Sequence, residues 1–144
     1  MKRRLLTAVV LASAAGGLAA GLLLARDGGT ARAAGPPGVV ARGSFHSIGW
    51  GTSGRATVVR TRSGALLLHF GGDFRTQKAP AVWVYVGKYR GLHDSQSSWS
   101  RLGQLRRWYG EQTYALHTVP SAGDSVIVFC EKCDRAFGAA RLHA

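Results

Sequence analysis

Beyond residue 43 the apolar positions of this chain come in short runs separated by glycine, serine and proline, and no run has a helical stripe long enough for a crossover helix. Phe45–Ile48 opens the series, and a glycine-rich turn at Gly49–Gly54 leads into the β-branched run Ala56–Val59. Arg62–Gly64 is a turn before Ala65–Phe70, and Gly71-Gly72 ends that run. Ala81–Val86 alternates most cleanly, with Val82, Val84 and Val86 on one face and Trp83 and Tyr85 on the other. Thr113–Thr118, Ser125–Cys130 and Ala136–Leu142 complete the strands, and a helical turn is expected within Trp99–Tyr109. The pattern predicts an all-β antiparallel sandwich or partly open barrel of about six to eight short strands.

The first 42 residues follow another rule. Lys2, Arg3 and Arg4 precede an uncharged stretch from Leu5 to Ala25. As a helix it would rise about 31 Å, enough to cross a bilayer's hydrocarbon core. The basic flank orients its amino terminus to the cytoplasm and sends the remainder outwards. Residues 1–26 are thus expected to be a transmembrane anchor, with a cleaved signal peptide as the alternative, since Ala31-Arg32-Ala33 offers a small-residue cleavage site. Residues 27–42, with Pro36-Pro37 at their centre, read as a flexible Gly/Ala/Pro linker, and 43–144 as the domain. The expected location is the outer face of the cell membrane, or secretion.

Charge narrows the partners. The chain carries 19 bases and 7 acids, and five of those bases and one acid lie in the N-terminal region, so the domain is about +8. Such a field favours anionic envelope polymers, lipid head groups or an acidic redox partner protein. Export argues against nucleic acid.

The candidate chemistry is sparse. Gly49-Trp-Gly51-Thr-Ser-Gly54 has the spacing of a dinucleotide fingerprint, but a strand-forming Ala-Thr-Val-Val follows where a helix is needed, so these glycines read as turn residues. No nucleophile elbow, paired carboxylates or zinc-protease motif is present, which points to a redox or binding module rather than a hydrolase or transferase. The two cysteines form Cys130-Glu-Lys-Cys133. Three readings stand: a redox couple activated by Lys132 and Arg135, a soft-metal site completed by histidines among His46, His69, His93, His117 and His143, or a structural disulfide. Residues i and i+3 of a straight strand lie about 10 Å apart on opposite faces, so a disulfide needs a turn or bulge at Glu131-Lys132. By parity with Val126 and Val128, Cys130 faces the core, and His69 shares a face with Leu67. Arg106-Arg107-Trp108-Tyr109 is expected to be a loop packing its aromatics inwards.

The order of these pieces resembles the DM-thirteen domain family, a β-rich extracellular family described as an electron-transfer module. The resemblance runs from Gly43 to Leu142 through Gly43-Ser-Phe45, Asp73-Phe-Arg-Thr76, Pro80, Val84-Tyr-Val86, Leu102-Gly103, Gly110-x-Gln112-x-Tyr114, Ser125–Cys130 and Phe137-Gly138. It implies that Cys130, seven residues before Phe137, carries redox chemistry, with haem or a soft metal left open as cofactor. Phe129, Ala79 and Cys133 depart from the family pattern, and Cys133 supplies a second thiol that can convert a lone reactive cysteine into a disulfide. The implied function is a cell-surface redox or electron-transfer role through Cys130, and the C-x-x-C spacing adds Cys133 as a second redox candidate. The competing reading is a non-catalytic envelope interaction or adhesion module with a structural Cys130–Cys133 pair.

Overall fold

The computed structural model describes residues 35–91 and 96–144. The expected N-terminal helix, the first half of the linker (27–34) and His93 lie outside the described residues. Eight antiparallel strands form one sheet: β1 (Gly38–Ser47), β2 (Arg55–Arg60), β3 (Leu66–Phe70), β4 (Val82–Gly87), β5 (Ser100–Gln104), β6 (Gln112–Leu116), β7 (Ser125–Cys130) and β8 (Arg135–Arg141). Their order is β5-β4-β7-β8-β1-β2-β3-β6, which curls into a nearly closed barrel.

Period-two alternation builds the interior. Ala56 and Val58 from β2, Leu66, Leu68 and Phe70 from β3, and Val82, Val84 and Val86 from β4 all point inwards, the three valines sharing one face as their spacing predicts. Phe74, from the loop after β3, fills the space between Phe45 and Phe70, at ring distances of 5.2 and 4.5 Å. Strand β1 joins the two halves by changing partners: Gly38–Ser44 pairs with β2 and Phe45–Ser47 with β8.

The β5 and β6 edges meet without forming a ladder among the described residues. Tyr114 packs over Gly103, where an added methyl would lie 3.5 Å from the ring. Gln112 then laces the seam: its Oε1 accepts from the Tyr114 hydroxyl at 2.7 Å and from the Arg106 and Arg107 amides at 3.2 and 3.3 Å. Side chains thus satisfy polar groups that a full ladder would otherwise pair.

Two expectations need correction. Residues 38–42, assigned to the linker, are strand, because Ala41 is buried and the β2 ladder pairs the backbone there. The 99–109 segment holds no helical turn. A short 3-10 turn at Gln96–Ser98 precedes β5, because the edge of β4 offers unpaired donors and acceptors that Ser100–Gln104 satisfies.

The antiparallel order fixes which loops meet. β1, β3, β5 and β7 end, and β2, β4, β6 and β8 begin, at the same end of the barrel. The loops 48–54, 71–81, 105–111 and 131–134 therefore gather there.

Candidate functional site

The gathered end holds both cysteines. All six residues of β7 are buried, and Cys130 at its end lies wholly inside the core with Val126 and Val128, as parity predicts. A register shift between Val128 and Phe129 and a turn over Glu131–Asp134 reverse the chain, with Asp134 at φ 51°. That reversal brings the Cα atoms of Cys130 and Cys133 to 5.2 Å, and the two sulfurs form a disulfide. The bend that the i,i+3 spacing demands is thus present.

The two sulfurs are placed unequally. Cys130 is fully buried, whereas Cys133 is half-buried against the rim of the core. The Cys133 amide donates to Cys130 Sγ at 3.1 Å, and the Pro80 carbonyl lies 3.4 Å from the same sulfur. Ala81 holds this corner at φ 56°, a left-handed backbone that costs a non-glycine residue about 1 kcal/mol or more. Its carbonyl accepts from the Glu131 amide at 2.9 Å, which ties the cysteine turn to the start of β4.

Glu131 anchors the turn on its other side. It accepts a 2.5 Å hydrogen bond from the Tyr85 hydroxyl and pairs with Arg101 at 3.0 Å, while the Arg101 guanidinium stacks 3.3 Å above the Trp83 ring. Burial, reinforced by the hydrogen bond to Glu131 and its negative charge, pushes the Tyr85 phenol up to about 12 against the opposing pull of Arg101. Tyr85, Trp99 and Phe129 pack edge-on at 5.7–6.1 Å on the outer face of the sheet, so β7 is covered on both sides.

Trp50 also caps this end, 42% exposed, with its ring 4.9 Å from buried Phe137 and the Arg135 guanidinium 5.4 Å above it. Lys132 and Arg135 are both exposed beside the disulfide. The sequence places Tyr85 on the face of β4 opposite Val82, Val84 and Val86, but Glu131, Arg101 and Trp50 carry no signal, because each acquires its partner through long-range pairing. The 49–54 loop behaves as a turn, and β2 follows it as a strand. In the 106–109 loop Trp108 turns in against the core, whereas Tyr109 is 61% exposed, contrary to the inward packing expected of both.

The Asp73-Phe-Arg-Thr76 segment is structural. Desolvation pushes the Asp73 carboxyl up, but the Arg55 amide at 3.2 Å and guanidinium at 3.0 Å outweigh it and hold the group below 3.8. Thr76 meets Thr52 hydroxyl to hydroxyl at 2.7 Å. Among the described residues, the histidines do not gather at the sulfurs. His69 shares its outward face with Leu67 and contacts the Thr113 hydroxyl through Nδ1 at 2.7 Å. His46 and His143 line a separate cleft, and His117 lies at another. Among the described residues, no three His, Cys, Asp or Glu side chains are placed to hold a metal ion.

No curated protein and no solved structure matches the chain. One protein family's sequence model, described as Electron transfer DM13, matches residues 44–142, a span that takes in the last four residues of β1 and all of β2–β8. With the ordered segments that resemble the family now seen as one barrel closing on a paired cysteine turn, the chain belongs to the Electron transfer DM13 family.

Proposed function

We propose that this domain is an exported redox module, tethered to a membrane by its N-terminal segment, that passes electrons at the cell surface through Cys130 and Cys133. The basic flank and the 21 uncharged residues from Leu5 to Ala25 support the tether. The unequal placement of the two sulfurs carries the chemistry.

A thiolate of a dithiol partner protein attacks the accessible Cys133 Sγ. A bond forms between the partner's sulfur and Cys133, the Cys130–Cys133 bond breaks, and its electron pair goes to Cys130 Sγ. There the Cys133 amide, 3.1 Å away, donates to the thiolate, and the Pro80 carbonyl is an acceptor once that sulfur is protonated. The partner's second thiol then displaces Cys133. The partner leaves as a disulfide, and the domain holds two thiols, having gained two electrons and two protons. In this reading Cys133 is the entry sulfur and Cys130 the internal one, which adds a role to the cysteine that departs from the family pattern.

The test equilibrates the full chain with glutathione buffers of graded potential, traps thiols with iodoacetamide and reads them by mass. A single two-electron transition is expected, with Cys133 alkylated before Cys130. Cys133→Ser is expected to abolish exchange with a dithiol while leaving Cys130 unlabelled in the folded protein. A disulfide that resists mild reductant, with Cys130→Ser changing stability alone, would instead establish the interaction module with a structural cysteine pair.

A further inference from the structure

A second site lies where β1 changes partners. Ala41 and Phe45 point into the core, so Arg42, Ser44 and His46 point outwards from the same strand. Register extends this row sideways. Arg42 lies opposite Thr57 on one side and His143 on the other, and Ser44 lies opposite Arg55. Because Phe45 pairs with Ala140, Arg141 flanks Ser44 from β8. The two strands come this close only because residue 43 is glycine, since a Cβ there would lie 2.4 Å from the Arg141 carbonyl oxygen.

The result is a cleft of about 640 Å³ lined by Arg42, Arg55, Arg141, His46 and His143, with no Asp or Glu side chain in its wall. Asp73 engages Arg55 from outside the wall, while Arg42 and Arg141 have no carboxylate partner among the described residues. Like charges at neighbouring cross-strand positions disfavour one another, and a bound anion reverses the sign of that interaction. Guanidinium forks match the oxygens of a tetrahedral oxyanion, and the Ser44 and Thr57 hydroxyls add neutral donors. Arg141 stands six residues along β8 from Arg135, roughly 20 Å from the disulfide end, so the cleft is separate from the cysteine site.

We propose that this cleft binds a phosphate group, held by Arg42 and Arg141 with Arg55 at its edge. The test is titration calorimetry of the full chain with inorganic tripolyphosphate at low salt. The Arg42→Gln/Arg141→Gln pair is expected to weaken binding at least about tenfold, as loss of charge-assisted hydrogen bonds implies. Arg62→Gln/Lys78→Gln removes the same charge from exposed positions elsewhere and is expected to leave affinity within about threefold.

Sedimentation with phosphatidylglycerol vesicles separates the sources. Capture that depends on Arg42 and Arg141 identifies a lipid head group, and binding of tripolyphosphate alone identifies a soluble phosphate compound. Equal losses in both variant pairs, absence of binding to either probe, or polyglutamate binding as tightly as tripolyphosphate overturns the proposal.

Discussion

The proposed redox role requires the fold to survive reduction, and the short loop between Cys130 and Cys133 sets how much stability is at stake. The disulfide closes a loop of only four residues, with the cysteines three apart in sequence. Loop-closure entropy for so small a ring amounts to about 2 kcal/mol. That is well below the roughly 5–15 kcal/mol that holds a domain of this size together. The barrel's interior, built from β2, β3, β4, β7 and β8, does not depend on the sulfur–sulfur bond, so the reduced domain is expected to remain folded.

Urea unfolding followed by tryptophan fluorescence, with and without a phosphine reductant, measures the difference directly. The expected outcome is a lower midpoint at unchanged slope, a loss of about 2 kcal/mol, and a fall in Tm of roughly 8–16 °C. The same quantity has a second readout. Folding that favours the oxidised form by about 2 kcal/mol places the domain's potential about 40 mV below that of an unfolded peptide carrying the same four residues. A loss above about 5 kcal/mol, or unfolding on reduction, would mark the bond as a structural staple and refute this reasoning.

Three further outcomes follow from the packing. Tyr85 is 5% exposed and its phenol is raised from 10.0 to about 12, so the protonated form is the one the fold stabilises. Its contribution, about 2–3 kcal/mol at most, is fully present below pH 10 and lost as pH rises towards 12; Tyr85→Phe is expected to flatten that part of the stability profile, and an unchanged profile would exclude Tyr85 as its source. Phe74→Ala empties a wholly buried site between Phe45 and Phe70 and is expected to cost about 3–5 kcal/mol in chemical denaturation, whereas a loss under about 1 kcal/mol would show that the neighbouring rings collapse into the space. Gly138→Ala places a methyl 2.4 Å from Thr52 Cβ and 2.9 Å from the His46 carbonyl oxygen, and is expected to cost about 1–3 kcal/mol, relieved in part by Thr52→Ser, which removes the Thr52 methyl 2.6 Å away.

Much of the barrel was legible in the chain because strand alternation is a local property. Val82, Val84 and Val86 face inwards as their spacing requires, and Cys130 follows Val126 and Val128 into the core. The i,i+3 spacing of the cysteines allows a disulfide only if the chain bends between them, and the bend and the disulfide are both there. The ordered motifs identified the family correctly, and the family's model matches residues 44–142, which contain most of those segments. His69 also sits on the face that parity assigned to it.

Tertiary structure decided what depends on partners distant in the chain. Residues 38–42 look like linker in isolation, and only the backbone of β2 makes them a strand. Ser100–Gln104 has no strong propensity of its own and becomes β5 because the edge of β4 needs pairing. Burial of Phe129 and Ile127 on the outer face needs Trp99 to cover them, and the Tyr85–Glu131 bond joins residues 46 apart. The basic cleft likewise exists only where β8, β1 and β2 come into register. Side-chain alternation repeats every two residues and can be read from sequence, whereas strand partners and the faces they cover are set by long-range pairing that no local pattern encodes.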